Sequence, residues 1–488
     1  MRSLRQQTAS SVKWTTFKTV LITATLPALQ IVLARFLSPE EFAYIAIILI
    51  FIGLFETLEN FGISQAVIQR DSIDDKEASS LFFLNILSGI FLSGILYFLS
   101  KPLSVFFQLP GLSCYLKLTS LIVIIGSPAK LFKALMQKHL FFKALSLIEL
   151  ARHLTMMTLV ILLLSMGHGV QGFIYANIMA ILLSTLLIVC FCIKNHLSRI
   201  YPFFSLKKIF PFLSFGIFVS GKQVMTYCAH HMDEVLVGYF LNPEVLGVYS
   251  FGKRTIEKIR RLITESFGRI LFPVFSNLKN EPKKISTAYL KITKYVAFVS
   301  FPVFAGIAIT AHLFVPLIFG EKWVDSIIVF QVFSVVMLLI VLTANIATSL
   351  LYALNRPDIV FYVDIVTNIF YFSMLYIFSH LGINAVLIIY PLYIIYKFFA
   401  LQYYANKYLK HSFILYFKQI WGVFIISVLM VSGLYFFQLF SDGILTNSSQ
   451  LIWSIATGCI LFLILSINIE KSTFYELKSF FMKNKFSV

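Results

Sequence analysis

Residues 326–352 read SIIVFQVFSVVMLLIVLTANIATSLLY, twenty-seven in a row without a charged side chain. At about 1.5 Å per helical residue this stretch outspans the roughly 30 Å hydrocarbon core of a bilayer. Thirteen further apolar runs flank it, at 15–36, 41–62, 80–100, 113–135, 145–166, 170–193, 209–240, 245–273, 290–319, 359–380, 384–405, 418–440 and 450–468. Across 488 residues, 59% are hydrophobic and only 13% charged, too little polar surface for a water-soluble domain of this size. The sequence therefore predicts an all-α integral membrane protein of about fourteen transmembrane helices. Spans 7 and 8 are the least hydrophobic, but Val235–Leu241 and Leu262–Phe275 retain the character of packed or lipid-facing helix.

The net charge of +18 is unevenly placed. With the N-terminus inside, the inner segments carry 26 lysines and arginines, whereas the outer loops carry two, Lys101 and Lys322. That bias predicts both termini in the cytoplasm, and it accounts for the charge as attraction to anionic lipid, without nucleic acid. The basic start and the run 19–34 lack a convincing cleavage site, so they are expected to form an uncleaved first span. The five cysteines all lie in apolar stretches and imply packing rather than disulfides or metal. The outer loops are short, and no nucleotide-binding loop, nucleophile elbow or metal-spaced cluster is present. No cofactor is expected and no catalytic group is identified, which speaks against an enzyme.

An internal repeat organises the chain. Phe36-Leu37-Ser38-Pro39-Glu40 matches Phe240-Leu241-Asn242-Pro243-Glu244. Ala134-Leu135-Met136-Gln137 matches Ala353-Leu354-Asn355-Arg356, and Gly169-Val170-Gln171-Gly172 matches Gly382-Ile383-Asn384-Ala385. The offsets are 204, 219 and 213 residues, and each pair falls at the same step of a six-span unit. Six spans return the chain to its starting side, so the halves 1–205 and 206–410 are expected to be parallel six-helix lobes, with helices 13 and 14 and a tail (411–488) appended. Repeats of this kind belong to transporters that bind substrate near the midplane and work by alternating access.

Charge inside a span is expensive and marks candidate function. In span 8, Arg254, Glu257, Lys258, Arg261, Glu265 and Arg269 fall within about 120° of one another at 100° per residue. Ile256, Ile259, Ile263 and Ile270 lie opposite, while Lys253 and Arg260 fall off the stripe. Arg254 would sit roughly 14 Å deep. Two readings compete: a ladder of i,i+4 pairs from Glu257 to Arg261 and from Glu265 to Arg269, or a cationic wall suited to phosphate, the reading favoured by the positive remainder. Lys222 in span 7 and Lys18 in span 1 join Arg254, Lys258, Arg261 and Arg269 as candidate substrate-binding cations. Asp233 and His230 in span 7, with Glu56 and Glu59 in span 2, are candidate ion-coupling groups for H+ or Na+. Glu56 and Glu59 could equally form a polar helix end, and Glu149 and Arg152 in span 5 a local i,i+3 pair. The neighbouring His230 and His231 point about 100° apart on a helix, which argues against a metal site. Pro27, Pro128, Pro302 and Pro391 lie inside spans, and Pro27 is a hinge candidate.

Three stretches carry a family resemblance. Ala34-Arg35-Phe36-Leu37-Ser38-Pro39-Glu40-Glu41-Phe42 resembles the A-R-x-L-x-P-x-x-F-G signature of polysaccharide transporters, with Ala43 in place of the glycine. Gly62-Ile63-Ser64-Gln65-Ala66-Val67-Ile68-Gln69-Arg70 and Phe319-Gly320-Glu321-Lys322-Trp323 resemble two more of their motifs. The chain is most similar to the colanic-acid and teichuronic-acid exporter branch of the Wzx-type flippases, within the multidrug/oligosaccharidyl-lipid/polysaccharide flippase superfamily. The resemblance implies an undecaprenyl-pyrophosphate-linked, anionic oligosaccharide moved from the cytoplasmic to the periplasmic leaflet, a cationic cavity, ion coupling, and partnership with membrane lipid and polysaccharide-assembly proteins. A drug or cation exporter of the same superfamily, and a membrane glycan polymerase or acyltransferase, are the alternatives.

Overall fold

The computed structural model describes residues 4–60, 63–70 and 72–483, and at some positions within them, Lys222, Glu265 and Arg269 included, only the backbone. Every regular element among the described residues is helical. Twelve described helices are long and apolar enough to cross a membrane. The other two expected spans, 7 and 8, form helices of 35 and 36 residues that are not among the twelve.

Packing divides the chain into two compact units, Met1–Gly247 and Val248–Val488. The first contains α1 (Leu4–Phe36), α2 (Pro39–Asn60), the short α3 (Ile63–Gln69), α4 (Asp75–Phe106), α5 (Leu112–Lys138), α6 (Phe142–Ser165), α7 (Gly169–Lys194), α8 (Leu206–Phe240) and the first turn of α9 (Pro243–Leu278). Its layers are α4 on α5, α5 on α7, α7 on α6 and α6 on α1, with α8 lying on α2, α3 and α4. Tyr227 of α8 holds that last contact by donating its hydroxyl to the carbonyl of Ile50, at 2.9 Å. The repeat boundary read from sequence, 205/206, and the packing boundary, 247/248, thus differ by one helix, α8.

The second unit holds the rest of α9, then α10 (Pro282–Phe314), α11 (Ile327–Ile340), α12 (Thr348–Ala353), α13 (Pro357–Phe378), α14 (Ile383–Leu409), α15 (Phe413–Ser441), α16 (Asn447–Ile469) and α17 (Lys471–Lys483). In this unit α10 packs on α11, α15 and α16, and α14 packs on α11 and α13. Two π-helical segments occur in the membrane helices: Val315–Phe319 ends the ninth span, and Val341–Ala347 lies inside the uncharged stretch 326–352. The two short helices α3 and α17 are not foreshadowed by hydropathy.

The repeated motifs have a common local cause. Before α2, the backbone N–H of Glu41 donates to Ser38 Oγ at 3.1 Å and that of Ser38 donates to Glu41 Oε2 at 2.9 Å. This is a capping box with Pro39 at the first helical position, where its missing N–H costs nothing. Before α9, Asn242 Oδ1 accepts from the Val245 N–H at 2.8 Å and Pro243 takes the same first position. The second repeat pair also marks matching helix ends, but in a shifted register. Leu140 and Asn355 each adopt a left-handed backbone, with φ of 59° and 57°, and the next residue's N–H returns five residues, to Met136 and Leu351. Structure therefore equates Leu140 with Asn355, rather than Ala134 with Ala353. Gly320 has φ of 108°, a conformation open to glycine, and swings the buried Trp323 ring to 3.9 Å from that of Phe251. Two of the family-like stretches are thus a helix start and a turn. In the third, residues 63–69 form α3, and Gly62 lies outside the described residues.

Candidate functional site: intramembrane charge

The α9 helix buries Ile256 completely and leaves Arg261 exposed, with Arg254, Glu257 and Lys258 half-buried. Around it, Tyr249 packs edge-on to Phe333, and Phe251 packs against Phe319, Trp323 and Phe330. These aromatic anchors set the rotation of the helix and so decide which residues remain open. No ion pair joins Glu257 to Arg261, so that rung of the expected ladder is absent. Lys253, which falls off the stripe by helical angle, is the most deeply buried of the described α9 cations at 2% exposure. Sequence geometry assigns it no role because an angle on a wheel does not reveal what packs against each side. The Arg269 and Glu265 side chains lie outside the described ones.

In α8, Asp233 and Glu234 are both buried, each 1% exposed, while His230 is exposed. His231 Nδ1 lies 3.4 Å from Glu234 Oε1. Along the same helix Thr226 is exposed and Asp233, about two turns on, is closed, while the Lys222 side chain lies outside the described ones.

The first unit holds a second, separate cluster. Glu59 is 1% exposed and its Oε2 lies 2.5 Å from Lys130 Nζ of α5, while Glu56, one turn earlier, is exposed. Lys130 Nζ also donates to the Glu56 carbonyl at 3.3 Å. Lys18 of α1 reaches Glu149 Oε2 of α6 at 2.5 Å, and Lys133 of α5 reaches the other oxygen, Oε1, at 2.7 Å. The local Glu149–Arg152 pair expected from spacing does not form, because two lysines from other helices claim both carboxylate oxygens. One turn further along α6, His153 Nε2 lies 2.6 Å from Thr25 Oγ1 of α1. Sequence spacing cannot find Lys130 and Lys133, since their partners lie 71 and 16 residues away on other helices.

Further ion pairs sit in the second unit. Lys397 Nζ of α14 lies 2.8 Å from Asp364 Oδ1 of α13, beside Tyr393, which donates to Asn368 Oδ1 at 3.0 Å. Lys294 Nζ of α10 lies 2.6 Å from Glu470 Oε2, and Glu476 of α17 binds Lys291 and the Tyr295 hydroxyl. The last contacts hold α17 against α10. The Glu476 carboxyl, outside the spans, is held below the usual carboxylate range chiefly by its hydrogen bond from Tyr295.

The Glu59 pair yields a direct expectation. Lys130→Gln leaves a carboxylate in a nearly closed site with its ammonium removed, an arrangement that is costly when buried. Because Lys130 retains 22% exposure, a loss of about 1–2 kcal/mol is expected, below the range for a sealed pair. Thermal melting in detergent checks it: Glu59→Gln added to Lys130→Gln should recover most of the loss, and additive losses would contradict the pairing.

A family model described as "Polysaccharide biosynthesis protein" matches residues 32–328. The lipopolysaccharide biosynthesis protein WzxC of Escherichia coli K12 is 30% identical over 359 residues, covering 74% of this chain and 72% of that one. The teichuronic acid biosynthesis protein TuaB of Bacillus subtilis 168 is 27% identical over 368 residues, covering 75% of each. Among solved structures, the lipid II flippase MurJ in an inward closed conformation superposes with a TM-score of 0.74 at 16% identity, over 94% of this chain and 98% of that one. An inward-facing multidrug resistance MATE transporter gives 0.61 at 16% identity, over 80% and 96%. These two likenesses are of fold. With more than half its length inside the family model, and with the three sequence stretches in agreement, this chain belongs to the polysaccharide biosynthesis protein family.

Proposed function

We propose that the protein is a flippase for an undecaprenyl-pyrophosphate-linked oligosaccharide, moving it from the cytoplasmic to the periplasmic leaflet of a bacterial inner membrane by alternating access. The observation that carries this reading is the cationic side of α9, with Arg261 exposed and Arg254 and Lys258 half-buried, in a chain otherwise built of apolar spans. Fixed cations at membrane depth suit an anionic headgroup: arginine offers a planar fork and lysine a point charge to phosphate oxygens. The polyprenyl tail needs no polar site, since lipid already solvates it. The cycle is one of binding and reorientation, with no bond made or broken. Membership of a polysaccharide biosynthesis family and the naming of relatives for lipopolysaccharide and teichuronic acid support the glycan class.

In this reading α8 and α9 complete fourteen spans, both termini are cytoplasmic, and the moving bodies are the repeats 1–205 and 206–410 with 411–488 appended. Asp233, Glu56, Glu59 and His230 remain the candidate coupling groups for H+ or Na+, and Arg269, Lys222 and Lys18 further candidate headgroup contacts. Deleting the gene should make a lipid-linked glycan accumulate on the cytoplasmic face, and restoring it should move that lipid outward. Normal outward appearance of the glycan without the protein, in a strain lacking other flippases, would refute the proposal.

A further inference from the structure

Glu149 is held in an unusual way for a charge inside a span. Two ammonium groups from two different helices converge on it, Lys18 of α1 on Oε2 and Lys133 of α5 on Oε1. The trio carries a net +1, so the carboxylate does not neutralise the two lysines. It is also open: the Lys18, Glu149 and Lys133 side chains keep 20%, 22% and 42% of their exposure. A clasp serving only to fasten three helices gains nothing from remaining accessible. Neighbouring contacts hold the lysines' helices without help from Glu149. His153 with Thr25 ties α6 to α1, and Lys130, one turn before Lys133, ties α5 to Glu59 of α2. Arg152, three residues beyond Glu149 on its own helix, is half-buried and has no carboxylate partner among the described residues.

We propose that Lys18 and Lys133 form a subsite for a lipid-borne phosphate group, and that Glu149 occupies it at rest as an internal counter-ion that the headgroup displaces. The proposal rests on the flippase reading and adds to it a second contact and an exchange step. A carboxylate offers one negative charge, whereas a pyrophosphate offers at least two and several more acceptor oxygens, so two lysines bind it more strongly. The displaced Glu149 turns to Arg152 at i+3, a spacing at which side chains on a helix meet. The lysines are therefore never left without an anion, and the empty protein does not present two uncompensated charges to the membrane. Lys18 and Lys133 contact the headgroup, and Glu149 is a positioning residue that sets how strongly an anion must compete.

The test is titration calorimetry on the full-length protein in detergent, with farnesyl pyrophosphate and inorganic pyrophosphate as probes, each variant's melting temperature being recorded alongside. Glu149→Gln should bind farnesyl pyrophosphate about 5–10-fold more tightly, because the competing carboxylate is gone, and Lys133→Gln at least 5-fold more weakly, losing one ammonium. Adding Lys133→Gln to Glu149→Gln should cancel the gain. A Glu149→Gln protein that melts normally yet binds no more tightly overturns the proposal. Should Glu149→Gln fail to fold, Arg152→Gln takes its place: it leaves the trio intact, removes the alternative partner, and should weaken binding several-fold, with unchanged binding overturning the exchange. Inorganic pyrophosphate binding as tightly as farnesyl pyrophosphate would overturn the lipid-headgroup assignment. Loss of flipping on reversing Arg254 and Lys258 is a separate readout, so the flippase reading can stand while this one falls.

Discussion

Replacing both Arg254 and Lys258 by glutamate is expected to cut glycan flipping at least 100-fold while the protein still inserts at normal abundance. Each cation can make charge-assisted hydrogen bonds to phosphate worth about 1.5–3 kcal/mol, and two lost together correspond to roughly two to four orders of magnitude. Reversal goes further than removal, because a carboxylate repels the headgroup. Folding should tolerate the change, since both positions are half-buried rather than sealed and the anchoring contacts of α9 come from Tyr249 and Phe251. The measurement is surface appearance of the glycan in a deletion strain carrying the variant, with membrane abundance as the control. Unimpaired flipping by the double variant would remove the cationic side of α9 from the mechanism. The conservative pair Arg254→Lys and Lys258→Arg should keep much of the activity, because it keeps the charge and alters only donor geometry.

A second large effect is expected at Gly247, from close approach. A β-carbon added there would lie 1.7 Å from the carbonyl oxygen of Pro39 and 2.6 Å from its carbonyl carbon. These are backbone atoms of the first turn of α2, held by the Ser38–Glu41 capping box, so they cannot rotate aside. Gly247→Ala would gain up to about 1 kcal/mol of helix propensity and lose more to the overlap. A net destabilisation of about 2–4 kcal/mol is expected, read as a lowered melting temperature and reduced abundance. Gly306→Ala is the comparison: the nearest atom to its new β-carbon is Met430 Cε at 4.0 Å, so propensity should prevail and the protein should melt no lower. A Gly247→Ala protein as stable as the parent would mean that α9 and α2 do not approach as closely as described.

The two helix starts in these experiments also show how sequence and structure divide the information. Ser38-Pro39-Glu40-Glu41 and Asn242-Pro243-Glu244 are legible as a repeat because N-capping is local: the donor, the acceptor and the proline lie within four residues. The membrane spans are legible for a similar reason, since hydropathy sums over neighbours in the chain and needs no partner. The register of the second repeat pair is not legible in the same way. Leu140 and Asn355 share a backbone conformation rather than a residue type, and sequence matching placed the equivalence four residues off.

For the candidate site, the cationic character of α9 could be read from the sequence alone. Its rotation could not, because Tyr249 and Phe251 fix it against rings more than sixty residues away, and so Lys253 emerges as buried only in three dimensions. Spacing offered Arg152 as the partner of Glu149, yet the fold supplies Lys18 and Lys133. Composition, the all-helical membrane class and the placement of charge along the chain thus followed from the amino acids, because each depends on near neighbours and on the transfer of side chains between water and lipid. Which charges meet, and which are buried, was decided by helix packing, because an ion pair depends on a few ångströms of separation in space and not on distance along the chain.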